Sequence, residues 1–181
     1  MNLLIEGHAG DWKKEIYKYI EMINDTELSN AVRDYITHYE GKFFAIPGST
    51  RYHHVYTGGT LKHTLEVCEI GLRIIDSCEL DVNKDYYIAS AVLHDVGKKD
   101  DYEFDSYKRQ WIHARNKKVR IDHSVFPIVD FAEVTGYILP KEIQLAIMSH
   151  MGGWSSTSVY PDDLLSSVLH SADLISSRLE R

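Results

Sequence analysis

Apolar side chains recur at three-and-four spacing along most of the chain, the period of a helix that buries one face. Trp12, Ile16, Tyr19, Ile20 and Ile23 form the first stripe, with Asp11 ahead of it as an N-cap. Leu28, Val32, Tyr35, Ile36 and Tyr39 repeat the pattern and stop at Gly41. Leu61, Leu65, Cys68, Leu72 and Ile75 make a third stripe, which starts after Gly58 and Gly59. Ile88, Ala91 and Val92 run directly into His94 and Asp95, with Gly97 as the expected stop.

Residues 100 to 121 break the rhythm. They are polar and aromatic, and predict a long loop with a short hairpin from Trp111 to Ile121. Helix resumes near Ser124, where Pro127 is tolerated in a first turn and Gly136 closes the segment. Pro140 opens a helix carrying Ile143, Ile147 and His150, ended by Gly152 and Gly153. Pro161 opens the last one, with Leu165, Val168, Leu169, Ala172, Ile175 and Leu179 facing inward. Alternating strand patterns are scarce, so the predicted class is all-α. No repeat, low-complexity tract or linker divides residues 1–181, which read as a single domain.

Composition narrows the field without identifying a chemistry. The 181 residues can bury a substantial core, and 44% hydrophobic with 26% charged content excludes a disordered chain. No apolar run approaches the roughly 20 residues that span a bilayer, and Leu3–Ile5 before Glu6 is too short for a signal-peptide core. The expectation is a cytoplasmic protein without a membrane partner. Cys68 and Cys78 read as two buried free thiols, and the lack of a CxxC pair excludes a cysteine-based zinc site. A net charge of −7 argues against wrapping nucleic acid, although a local basic groove can still form.

Ten histidines without a tag-like cluster are the first chemical clue. His63, His94, Asp95, His123, His150 and Asp173 each fall on or beside a predicted helix. Packed helices can turn such side chains toward one centre, and imidazole with carboxylate suits Mn, Fe, Co, Ni or Zn better than Ca. Taken singly, a helical histidine is more often a hydrogen-bonded or surface residue than a ligand. Asp173 is more pointed, since a carboxylate in an apolar stretch needs a compensating partner.

The string LHDVGK at 93–98 resembles the signature of the HD superfamily of phosphohydrolases. HHVYTGGTLKHTLEV at 53–67, preceded by FFAIPGS at 43–49, resembles the first-histidine segment of the branch containing YhaM-type 3′→5′ exoribonucleases. The resemblance covers nearly the whole chain and implies an HD-domain helical bundle with a metal site in its core. It implies that His63, His94, Asp95 and Asp173 are the four defining ligands and that His123 and His150 complete a binuclear site. Two divalent transition metals (Mn, Fe, Co, Ni or Zn) would then be bridged by Asp95. Lys98, the signature lysine, would stand near the scissile phosphate as a second catalytic residue beside Asp95.

The resemblance implies hydrolysis of a phosphoester in a nucleotide, cyclic nucleotide or short oligonucleotide. The alternatives are a short-range 3′→5′ exonuclease, a di-iron oxygenase on the same fold, and a nucleotide-binding regulator. YhaM-type enzymes carry an oligonucleotide-binding module ahead of the HD domain; its absence before residue 1 leads us to expect a small substrate. Substrate-binding candidates are Arg51, His53 and His54, with Arg109, Lys117 and Lys118 from a basic stretch at 108–120. Trp111 is available there for base stacking. Oligomeric state, including a homo-oligomer, is left open.

Overall fold

The computed structural model describes residues 9–114, 123–154 and 159–180. Seven α-helices follow in order: α1 Ala9–Glu21, α2 Thr26–Phe43, α3 Gly59–Ser77, α4 Lys84–Leu93, α5 Phe126–Thr135, α6 Lys141–Ser149 and α7 Leu164–Leu179. A 3₁₀ turn, Val96–Asp100, follows α4 and leads into a two-stranded antiparallel hairpin, β1 Tyr102–Asp105 with β2 Gln110–His113. Among the described residues no helix is long and apolar enough to cross a membrane.

α3 is the centre of the bundle and packs against α1, α4 and α7. Its sequence has no polar face in the middle of the helix, because Thr60–Cys68 are buried throughout. Polar residues in that run are therefore buried together with the apolar stripe, and His63 and Glu66 are among them. α4 is likewise buried from Tyr87 to Leu93. Three helices start on side-chain caps. Asp25 accepts from Leu28 N, Asn83 from Asp85 N and Tyr86 N, and Asp163 from Ser166 N.

Several local expectations change. Asp11 lies inside the first turn of α1, not at its cap. α2 runs past Gly41 to Phe43, since glycine in an exposed helix weakens the helix without ending it. The hairpin spans Tyr102–His113, not Trp111–Ile121, with Trp111 paired to Phe104; residues 115–122 of the predicted hairpin lie outside the described residues. The alternation in YEFD and QWIH was hidden by the intervening polar turn. Cys78 is exposed, because it caps the C-terminus of α3 beyond the core, while Cys68 is buried as expected. On α7, Ile175 and Leu179 are largely exposed, since the inward face shifts to Ala172 and Ser176.

Three glycines carry more than a helix boundary. Gly58 takes φ 84 at the N-cap of α3, and a Cβ on Gly59 would lie 2.0 Å from the His54 carbonyl oxygen. A Cβ on Gly97 would lie 2.1 Å from the His123 carbonyl oxygen. Gly97 thus lets the turn after α4 pack directly on the backbone that carries His123. The same turn is fastened to α2 and α5 by a buried polar cluster. Tyr35 and Tyr39 donate to Asp130 at 2.7 and 3.0 Å, and Lys99 Nζ lies 3.5 Å from Asp130 and over the rings of Tyr39 and Phe126.

Candidate metal centre

His94 and Asp95 stand at the end of α4, where the helix passes into the 3₁₀ turn, and both are buried. α3 contributes His63, the end of α6 His150, α7 Asp173, and the turn before α5 His123. The six residues that come from separate stretches of sequence form two groups able to hold a metal ion: His63, His94 and Asp173, and Asp95, His123 and His150.

Asp95 faces both groups. Its Oδ2 lies 3.6 Å from His63 Nε2 and 3.5 Å from His94 Nε2, and its Oδ1 lies 3.7 Å from His123 Nε2 and 3.6 Å from His150 Nε2. These separations are too long for hydrogen bonds. Asp173 Oδ1 lies 3.0 Å from His63 Nε2, and the Nε2 atoms of His63 and His94 are 3.4 Å apart.

The far nitrogens show which atoms are free to ligate. His94 Nδ1 donates to the Ala91 carbonyl at 2.7 Å, and His150 Nδ1 donates to the Ile147 carbonyl at 2.6 Å. A neutral imidazole has one hydrogen, so both residues present bare Nε2 lone pairs toward Asp95. Asp95 Oδ1 and His150 Nε2 are buried without a hydrogen-bond partner. Buried acceptors facing acceptors are unfavourable unless a cation lies among them, so this donor set fits divalent metal.

Burial lowers the His150 pKa, but Asp95 and Asp173 outweigh it and raise it. At His94, Asp95 and Asp173 the electrostatics agree with that fit. Burial lowers the His94 pKa to about 4, keeping the imidazole neutral and ready to ligate. Burial opposes ionisation of Asp95, but the Lys98 charge outweighs it and holds the carboxyl well below the usual range. Burial also opposes ionisation of Asp173, and His63 overcomes it. Lys98 Nζ lies 2.7 Å from Asp95 Oδ2, with only 12% of its side chain exposed. Burial disfavours its charge, yet Asp95 holds its pKa above the ordinary lysine value.

The other predicted contacts are scattered. His53 is half-buried with its ring 5.0 Å from that of His63, whereas His54 is buried with both nitrogens engaged, by His53 Nδ1 at 3.1 Å and Glu66 at 3.1 Å. Arg51 is exposed in the 49–53 loop, and Arg109 is exposed in the hairpin turn at φ 53. Lys117 and Lys118 lie outside the described residues. Trp111 packs against the core and donates to Thr57 Oγ1 at 3.1 Å. Trp154, in the turn after Gly152 and Gly153, is 83% exposed. Sequence reading missed Glu66 and Ser176, which stand behind His63. A buried Glu in the third apolar stripe was the available signal.

A helical bundle whose paired His-Asp ends a buried helix and meets histidines from three other segments defines a phosphohydrolase of the HD type. The HD domain profile matches residues 60–178, and the chain belongs to that family. It is 29% identical over 186 residues to the dihydroneopterin 2′,3′-cyclic phosphate phosphodiesterase of Methanocaldococcus jannaschii, spanning 92% of this chain and 69% of that protein. It is 28% identical over 88 residues to the 3′-5′ exoribonuclease YhaM of a Geobacillus species, covering 49% of this chain and 27% of that enzyme. A Listeria monocytogenes YhaM is 29% identical over 84 residues, which cover 46% of this chain and 26% of the enzyme. The chain thus spans about a quarter of the exoribonucleases it matches. No solved structure matches it significantly. These relatives favour hydrolysis over the oxygenase alternative.

Proposed function

We propose that the chain is a two-metal phosphodiesterase acting on a nucleotide, cyclic nucleotide or short oligonucleotide. The observation that carries this reading is Asp95, whose two oxygens face separate histidine groups. His63, His94 and Asp173 would hold one cation and His123 and His150 the other, with Asp95 serving both. Bound cations supply Lewis-acid activation of water and neutralise charge on the phosphate.

The protein's own groups define the rest of the reaction. Bare Nε2 atoms on His94 and His150 are fixed by their main-chain bonds, so no reorientation is needed on binding. Lys98, anchored to Asp95, places a positive charge at the edge of the site, where a phosphoryl oxygen would gain negative charge in the transition state. Burial of His63, His94, Asp95 and His150 excludes bulk water and strengthens each interaction. The Methanocaldococcus relative aligns over most of this chain and is named for a cyclic phosphate, which favours a 2′,3′-cyclic phosphodiester as the first substrate to test.

The deciding experiment combines elemental analysis with a substrate panel. Purified protein should carry two metals per chain, and His150→Ala should retain only one. Cyclic mononucleotides, linear dinucleotides and longer RNA would be assayed with Mn²⁺, Co²⁺, Ni²⁺, Zn²⁺, Fe²⁺ and Mg²⁺. A single metal unaffected by His150→Ala would refute the binuclear site, and no phosphoester cleavage with any metal would refute the activity.

A further inference from the structure

A second buried polar cluster lies behind the metal centre. Glu66, almost one helical turn after His63 on α3, is 1% exposed. Its Oε2 accepts from Ser176 Oγ on α7 at 2.8 Å and lies 3.1 Å from His54 Nε2, while its Oε1 makes an ion pair with Lys62 Nζ at 3.2 Å without a hydrogen bond. Ser176 Oγ lies in turn 2.8 Å from His63 Nδ1, and both residues are fully buried. Burying a carboxylate is costly without a compensating role, and Glu66 makes no contact with the ligands except through Ser176.

Counting hydrogens fixes the direction of this chain. A carboxylate brings none and a serine hydroxyl brings one. Ser176 donates its hydrogen to Glu66, so toward His63 it can only accept. His63 Nδ1 must therefore carry the imidazole hydrogen. Its Nε2 is then bare where it faces Asp173 and His94. His94 and His150 reach the same tautomer through helix-end carbonyls. His63 lies in mid-helix, where main-chain carbonyls are engaged, and depends on a side chain instead.

We propose that Glu66 is a positioning residue. Acting through Ser176, it holds His63 in the metal-binding tautomer, and Lys62 keeps the carboxylate in place. The inference rests on the metal reading above, but the tautomer can be measured with no metal present.

Glu66→Leu gives a directional test. Leucine fills similar space and offers no acceptor, so the Ser176 hydroxyl is released. Ser176 then donates to His63 Nδ1, which moves the imidazole hydrogen to Nε2, where Asp173 Oδ1 lies 3.0 Å away to accept it. Histidine ring ¹⁵N and ¹³C shifts of metal-free protein at pH 8 should show His63 changing from the Nδ1–H to the Nε2–H form. Zn²⁺ affinity by competition titration should fall about 10- to 100-fold. Glu66→Gln, whose amide oxygen still accepts from Ser176 on the side that faces His54, should keep both tautomer and affinity. Ser176→Ala gives an independent reading if Glu66→Leu does not fold, and should weaken Zn²⁺ several-fold or more. An unchanged tautomer and affinity in Glu66→Leu, loss of both in Glu66→Gln, or full affinity in Ser176→Ala would each overturn the proposal. A wild type that binds no metal yet switches tautomer in Glu66→Leu would support the relay and refute the proposed function instead.

Discussion

Gly97→Ala tests whether the signature glycine serves the metal centre or only the chain turn. The added Cβ would stand 2.1 Å from the His123 carbonyl oxygen and 2.8 Å from its carbonyl carbon and Cα. Ordinary contact requires 3.4 Å or more, so the two backbones must separate by about 1.3 Å. No flexible side chain is available to yield, because every near atom belongs to main chain. Overpacking of this kind costs about 1–3 kcal/mol, or roughly 4–8 °C in melting temperature for a chain of this size at a mid-range cost. The larger effect should fall on His123, since a ligand moved by about 1 Å typically costs ~10²-fold in rate. The assay is elemental analysis, a melting curve and phosphodiester turnover on the same preparation. Loss of one metal and most activity is expected, with the fold retained. A Gly97→Ala protein with two metals, wild-type turnover and an unchanged melt would refute the reasoning.

Three further outcomes follow. Gly41→Ala, in the exposed interior of α2 with nothing within 4 Å of the new Cβ, should stabilise the fold by about 0.5–1 kcal/mol, visible in urea unfolding. Lys98→Ala should keep both metals while lowering turnover about 10²-fold; wild-type turnover would assign Lys98 to the ion pair with Asp95 alone. The last concerns acid sensitivity. With His94 lowered to about 4, the unfolded chain takes up this proton first as pH falls, so its contribution is full above about 6.5 and lost toward 4. Metal-free wild type should lose about 2–3 kcal/mol across that window through this group. Urea unfolding of metal-free His94→Gln should show a flatter acid limb, and parallel limbs would count against it.

Much of the fold was written in local pattern. Leu61, Leu65 and Cys68 marked α3, Pro127 and Gly136 bounded α5 closely, and LHDVGK marked the end of α4, because apolar period and turn chemistry act between near neighbours in the chain. The hairpin was misplaced because its two four-residue strands alternate too briefly to stand out, and their pairing is a contact across a turn. Spacing suggested which histidines and carboxylates were candidates, and the family likeness said which belonged together. Their convergence depended on how α3, α4, α6 and α7 pack, since helix direction and rotation are fixed by the shared core and not by any one stripe. The same packing separated His53, beside the centre, from His54, buried behind it, although they are neighbours in sequence. It also placed Glu66 and Ser176 behind His63. In sequence these are an unremarkable acid and hydroxyl more than a hundred residues apart, and only the burial of α3 against α7 makes their hydrogen bond obligatory.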